Sequence, residues 1–202
     1  AECVDPDGEI PLLNDSVVGQ APAPAAVVEY ATRVLGRPVA RRSPGTRAFP
    51  DFGLFRIVEE PWAVWIDGGP VCPDFLPAHA HADVGTVLAW VGGRRLLVDS
   101  GTYCYGGNPA RREADRHGSA HNVLLLDGEG CCRCWKDFRV GRRPSRVVAG
   151  LREGPATTCA VAHDGFRRLR GRPAHERRVE VRRGRISIID AVRFAGGAGA
   201  HR

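Results

Sequence analysis

The spacing of apolar and polar positions changes once along the chain. Between residues 24 and 35, Val27, Ala31, Val34 and Leu35 recur at the spacing of one helical face, and Gly36 with Pro38 closes the pattern. This predicts one amphipathic helix. Residues 37–50, with Arg41, Arg42, Ser43, Pro44 and Gly45, have the charge and turn residues of a linker, which places a domain boundary near residue 48. Beyond it, Leu54, Ile57, Val64, Ile66, Val87, Ala89 and Val91 fall in short runs rich in β-branched and aromatic residues. Gly92-Gly93 predicts a hairpin joining 86–91 to 94–98, and Asp127-Gly128 ends an apolar run over 122–126. Further strands are expected at 145–151, 157–162, 176–182 and 185–192. The fold class is therefore mainly β, with antiparallel strands. The last strand leaves a sheet unfinished before the Gly- and Ala-rich stretch 194–202, and no internal repeat is present.

Composition narrows the class. The 202 residues are 43% hydrophobic and 26% charged, the balance of a globular domain, with 25 Gly and 15 Pro for many turns. No apolar run approaches the roughly 20 residues of a membrane-crossing helix. The amino end lacks the succession of a signal peptide, but the chain contains no Met and opens within an acidic loop, so it reads as a segment of a longer protein. Basic residues outnumber acidic ones by 29 to 23, for a net charge of +6, and nearly all are Arg. Guanidinium groups pair two-pronged with carboxylate, sulfate or phosphate, so a polyanion is the partner this charge favours. High-GC coding produces the same bias. Nucleic acid is disfavoured, because no helix-turn-helix, zinc-finger or RNP pattern accompanies the charge. Seven Cys, with Cys131, Cys132 and Cys134 crowded together, read as thiols rather than a disulfide scaffold.

Four groups have the residue types of a metal site: His79 and His81 in HAHAD, Asp99 in LLVDSGTYCY, and His121 in SAHN. In an extended segment, residues two apart face the same side, so His79 and His81 can share one cavity. Asp99 follows the strand returned by the Gly92-Gly93 hairpin, and His121 opens the next apolar run. Three protein ligands plus water is the make-up of a working zinc site. Hydrogen-bonded histidines that bind no metal are the alternative, and an HxH pair also arises by chance.

The wording around these residues resembles the heparinase II/III-like family of polysaccharide lyases. The matching motifs are AHAHAD at 78–83, LLVDSGTYCYGG at 96–107, Arg116, and SAHNVLLLDG at 119–128. IPLLNDS at 10–16 resembles the junction after the family's helical domain, while HDGFRRL at 163–169 and ERRVEVRRGRISIID at 176–190 resemble its later strands. Ser100, Cys104 and Val123 depart from the usual Pro, Ser and Thr. The resemblance implies a supersandwich-like antiparallel β-sandwich over 49–202, truncated at its end. Residues 1–48 would be the tail of an α/α-toroid domain plus linker.

It also implies roles. His81, Asp99 and His121 would bind Zn²⁺, and His79 would face the substrate as a catalytic group. Tyr103 and Tyr105 would lie near the cleft as further catalytic candidates, with strand packing as their plain alternative. Arg116 and His163 are substrate-binding candidates, although Arg116 and Asn122 also suit holding the zinc-binding loop. The implied activity is β-elimination of a uronate-containing acidic polysaccharide such as heparin or heparan sulfate, hyaluronan, alginate or an exopolysaccharide. Localisation would be the cell envelope, periplasm or exterior. The toroid's cleft Tyr would lie outside this chain, with Tyr30 no stand-in. A non-catalytic binder of acidic glycan is the second reading. A cupin-like metalloenzyme is the third, and it requires a closed barrel and a further Glu or His ligand.

Overall fold

The computed structural model describes residues 3–39 and 45–195. The linker positions 41–44 and the tail from residue 196 lie outside the described residues. Helix α1 (Pro24–Leu35) spans the stretch its apolar spacing predicted and ends at Gly36, whose left-handed backbone lets its N–H reach Arg33 O. No α1 residue is buried.

Five antiparallel strands follow in chain order: β1 (Arg47–Phe49), β2 (Leu54–Glu59), β3 (Trp62–Asp67), β4 (Val87–Val91) and β5 (Arg94–Leu97). Gly92 and Gly93 both adopt positive φ, as a two-residue turn that matches the strand twist requires. Helix α2 (Pro109–Arg116) was not foreseen; its start is fixed by Asn108, whose side chain accepts from Arg111 N, with Pro109 next. A hairpin of β6 (Arg133–Trp135) and β7 (Arg139–Gly141) leads to a second sheet. Its strands β8 (Val147–Arg152), β9 (Thr157–His163), β10 (Ala174–Arg182) and β11 (Arg185–Arg193) lie in the order β11-β10-β9-β8. Residues 122–126 form no strand, contrary to their apolar run: Leu126 pairs only with Glu129 in a single bridge, and Asn122 is drawn aside to bond the carbonyls of Val87 and Val98. No closed barrel forms among the described residues, which removes the cupin-like reading.

The alternation of side chains explains the layers. Ile57, Val64, Ile66, Val87 and Ala89 of the first sheet meet Cys159, Val161, Val179 and Val181 of the second in one core. Each fully buried aliphatic side chain there contributes about 1.5–3 kcal/mol. The first sheet's opposite face carries Ala63, Trp65, Leu88 and Trp90, and Leu13 packs against them. Residues preceding α1 are thus part of the β fold, and Asp7 and Asp5 clamp its edge by pairing with Arg95.

Toward one end the inward stripe of the second sheet changes from apolar to ionic. Val179 and Val181 give way to Arg177 and His175 on β10, and Val161 gives way to His163 on β9. His163 Nε2 lies 3.0 Å from His175 Nδ1, His175 Nε2 lies 2.7 Å from Asp190, and Asp190 also accepts two bonds of 2.8 Å from Arg177. Arg177 donates onward to the carbonyls of Gly85 and Asn122, in the loops of the other layer. This network ties the two layers together where apolar packing stops.

Two predictions follow from it. Arg177→Met leaves Asp190 with His175 alone and strands two carbonyls, and because Asp190 is a quarter exposed the expected loss is about 2–3 kcal/mol, or a fall of about 5–10 °C in Tm. An unchanged melting temperature contradicts the clamp. Burial, then the neighbouring His175, push the His163 imidazole down to about 3. The unfolded chain takes up that proton below about pH 6.5 while the folded state refuses it, so stability is fully present above that pH and declines as pH falls toward 3. His163→Leu is therefore expected to flatten the acid decline of urea midpoints; an equally steep decline contradicts the assignment.

Candidate functional site

The centre of the site is a residue the motif spacing did not single out. Asp15 has a side chain 7% exposed, and its two carboxylate oxygens receive five bonds. His79 Nδ1 and His81 Nε2 each lie 2.8 Å away, Thr102 Oγ1 donates at 2.7 Å, and Arg112 supplies Nη1 together with Nη2 at 2.7 Å. Burial works to raise the Asp15 pKa, but the bonds from His81, Arg112, Thr102 and His79 outweigh it and hold the carboxyl well below the usual range. An ionised carboxylate only accepts, so both facing ring nitrogens carry protons. His79 then turns its Nε2 away from Asp15, on a side chain 57% exposed. His81 is left with a bare Nδ1 that is buried and without a partner.

The two histidines do not converge through strand alternation. His79 ends a short 3-10 turn (Pro77–His79), and the chain extends only from Ala80. They meet because each reaches a different oxygen of Asp15. The 12–16 segment is held in turn by Leu12 in the core, by Asn14 Oδ1 accepting from His81 N, and by Thr102 N donating to Ser16 O. Gly101 makes that approach possible: its φ is +58°, and a Cβ there would stand 2.1 Å from Ser16 O. Helix α2 delivers Arg112 into the same place, with Arg116 one turn on.

His121 stands beside His81, with ring centroids 5.2 Å apart. Its Nδ1 lies 2.6 Å from Asp99 Oδ2, and its Nε2 is buried without a partner. Burial lowers the His121 pKa, but the Asp99 bond and the Asp83 and Asp99 charges leave it above its ordinary value. Asp67 and Asp83 are raised, chiefly by burial; Asp83 adds to the rise of Asp67, and Asp99 to that of both. Among the described residues, no three His, Cys, Asp or Glu side chains surround one point closely enough to hold an ion as they stand. Asp99 is turned onto the back of His121 rather than beside its free nitrogen. The donor chemistry nevertheless fits a metal. Two buried imidazoles each have one nitrogen bound to a carboxylate and the other without a partner, the arrangement in which a histidine ligand offers its second nitrogen to a metal.

The remaining predicted residues separate. Tyr105 donates its hydroxyl to Asp15 O at 3.1 Å, and its ring meets His79 edge-on at 6.2 Å. Burial and the Asp15 charge raise its pKa against the opposing Arg112, so the phenol keeps its proton. Tyr103 is 76% exposed under the Arg111 guanidinium. Arg116 is fully buried, with its guanidinium on the carbonyls of Ala80, Lys136 and Asp137. It braces the HAHAD loop and offers no surface to a substrate. His163 is not brought into this cluster: it is buried in the second sheet, with one nitrogen on His175 and the other accepting from Gly165 N. Asp15, Thr102 and Arg112 are the residues that spacing missed. The signal available for Asp15 was an acid and an Asn embedded in the IPLLNDS run.

Comparison with known proteins agrees with this architecture. The family model described as heparinase II/III-like, C-terminal, matches residues 41–200. No curated protein sequence matches. Among solved structures, a heparinase III gene product superposes with a TM-score of 0.70 at 19% identity, covering 96% of this chain and 31% of that one. The heparan sulfate lyase HepC from Pedobacter heparinus gives 0.71 at 17% identity over 96% and 31%. A further heparinase III gives 0.66 at 16% over 94% and 32%. The chain thus spans about a third of the length of these structures, and at such identities they speak for the fold. With four-fifths of its length matched by the family model, the chain belongs to the heparinase II/III-like family, within its C-terminal region.

Proposed function

We propose that this chain is the zinc-supported β part of a lyase that cleaves a uronate-containing acidic polysaccharide by β-elimination. The observation that carries the reading is the Asp15 carboxylate, which fixes one exposed and one buried histidine side by side. β-Elimination removes the C5 proton of a 4-linked uronate and breaks the bond from C4 to the glycosidic oxygen, with no water consumed. The obstacle is charge: the departing proton leaves electron density beside a carboxylate that is already negative. Donors aimed at that carboxylate stabilise the transition state.

His79 is the residue suited to meet the sugar. Its Nδ1–H is held on Asp15, so Nε2 points away from the anchor and can take or return a proton at the substrate. Tyr105 stays protonated at neutral pH and serves as a donor at the cleft rather than as its base. His81 Nδ1 and His121 Nε2 would hold the zinc, while Asp99, the third ligand the motif implied, sits on His121 Nδ1 and orients that ring. When bound, that ion would supply a fixed positive charge joining the His81 and His121 segments. Asp15 and Asp99 keep the two ligand rings in the required tautomers. Family membership and an Arg-rich net charge of +6 support an anionic glycan as substrate, and localisation at the cell envelope or outside it would follow.

The test is formation of a conjugated, unsaturated uronate, followed by its ultraviolet absorbance, when the protein carrying this chain meets a panel of polyuronides. Absorbance is expected to rise with at least one polyuronide and with no neutral glucan. Glycan binding without any rise would favour the non-catalytic binder. In that protein His79→Ala is expected to lower turnover by about 10²–10⁴-fold while leaving bound zinc unchanged; undiminished turnover contradicts its role. His81→Ala is expected to abolish stoichiometric zinc by elemental analysis, and retained zinc contradicts the ligand assignment. Asp15→Asn keeps the shape but loses the charge and acceptor capacity, and is expected to weaken zinc affinity by about 10–100-fold. Unaltered affinity would show that the carboxylate does not set the His81 tautomer.

A further inference from the structure

A pair of thiols lies directly behind the HAHAD loop, outside every role assigned above. Cys132 precedes β6 and Cys134 lies within it, so the two side chains point the same way and their sulfurs stand 4.0 Å apart. Cys132 Sγ lies 3.8 Å from the carbonyl of His81, and Cys134 Sγ lies 3.7 Å from that of Ala80. Both line an open cavity of about 570 Å³, whose wall also includes His117, Glu129 and Trp135. Cys134 is only partly buried, so the pair is reachable from solvent through this cavity.

The separation of the sulfurs decides what they can do. Positions two apart on an extended chain have Cα atoms about 6.6–6.8 Å apart, the upper limit for a disulfide, whose sulfurs must close to about 2.05 Å. One ion fits them without that movement: at about 2.3 Å, the length of a zinc–sulfur bond, sulfurs 4.0 Å apart subtend about 120° at a shared centre, and a larger thiophilic ion narrows that angle. Thiolates select soft cations, whereas imidazole and carboxylate donors do not exclude harder ones.

We propose that Cys132 and Cys134 form a binding site for one soft, thiophilic cation of the Cd²⁺ or Cu⁺ class, separate from the His81 and His121 centre. Two sulfur–metal bonds form, two thiol protons pass to solvent, and water in the cavity fills the remaining positions. Loading also withdraws both S–H groups from the carbonyls of Ala80 and His81, so the loop bearing His79 and His81 senses the ion.

The test is titration of the reduced protein carrying this chain with CdCl₂, read by the ultraviolet thiolate-to-cadmium charge-transfer band, which imidazole and carboxylate ligands do not produce. One equivalent of band is expected, with proton release in an unbuffered sample. Cys132→Ser and Cys134→Ser should each abolish it, while Cys104→Ser and His81→Ala should retain it. The His81→Ala arm separates this site from the zinc proposal, since loss of zinc there leaves the thiolate band intact. No band in the parent chain, or a band that survives both serine variants, overturns the proposal. Should one serine variant fail to fold, the parent titration and the other variant decide the matter.

Discussion

Everything at the site depends on one carboxylate being kept ionised away from bulk water. Removing a carboxylate from solvent raises its pKa and costs free energy unless donors replace the lost hydration. Asp15 is given Arg112 on two prongs, a hydroxyl and two imidazoles, and the donors win. The reward for that arrangement is directional. An ionised acceptor fixes a proton on the facing nitrogen of each ring, which leaves His79 Nε2 on an exposed side chain and His81 Nδ1 buried without a partner. A neutral amide or a protonated acid in the same place would leave both rings free to choose.

The fold is arranged to hold that carboxylate still. Asp15 arrives on a segment preceding the first helix, pinned by Leu13 against the apolar outer face of the first sheet and by Gly101 and Thr102 against its backbone. Arg112 and Arg116 arrive one turn apart on α2, where one neutralises Asp15 and the other supports the loop carrying the histidines. From the far layer, Arg177 reaches the carbonyl of Asn122, the residue after His121. Three arginines on two elements, α2 and β10, therefore fix the two histidine-bearing loops by charge-assisted bonds to main-chain carbonyls or to Asp15. Such bonds are stronger and more directional than apolar contacts, which suits the positioning of rings.

Much of the scaffold was legible in the sequence because its signals are local. The helix at Pro24–Leu35, the Gly92-Gly93 hairpin and the four strands of the second sheet each carry their own period and turn residues. The apolar run at 122–126 misled because the side chain of Asn122 bonds across to Val87 and Val98 and takes the segment out of any ladder. Helix α2 escaped because PARREADR is almost wholly polar and has no apolar stripe to find. Within the site, His79, His81, Asp99 and His121 could be found from type and motif. Asp15 and Arg112 could not, since their importance arises from contacts 66 and 97 residues apart in the chain. For the same reason Arg116 and His163 looked available to a ligand, while burial and hydrogen bonding assign both to the framework.

Asp15 dictates where the protons sit on two neighbouring rings. Nitrogen-15 NMR of histidine-labelled, metal-free protein above the imidazole titration range reads this directly, since protonated and bare ring nitrogens resonate far apart. His79 is expected as the Nδ1–H tautomer and His81 as the Nε2–H tautomer. A spectrum in which His79 carries its proton on Nε2, or averages between the two forms, would contradict it.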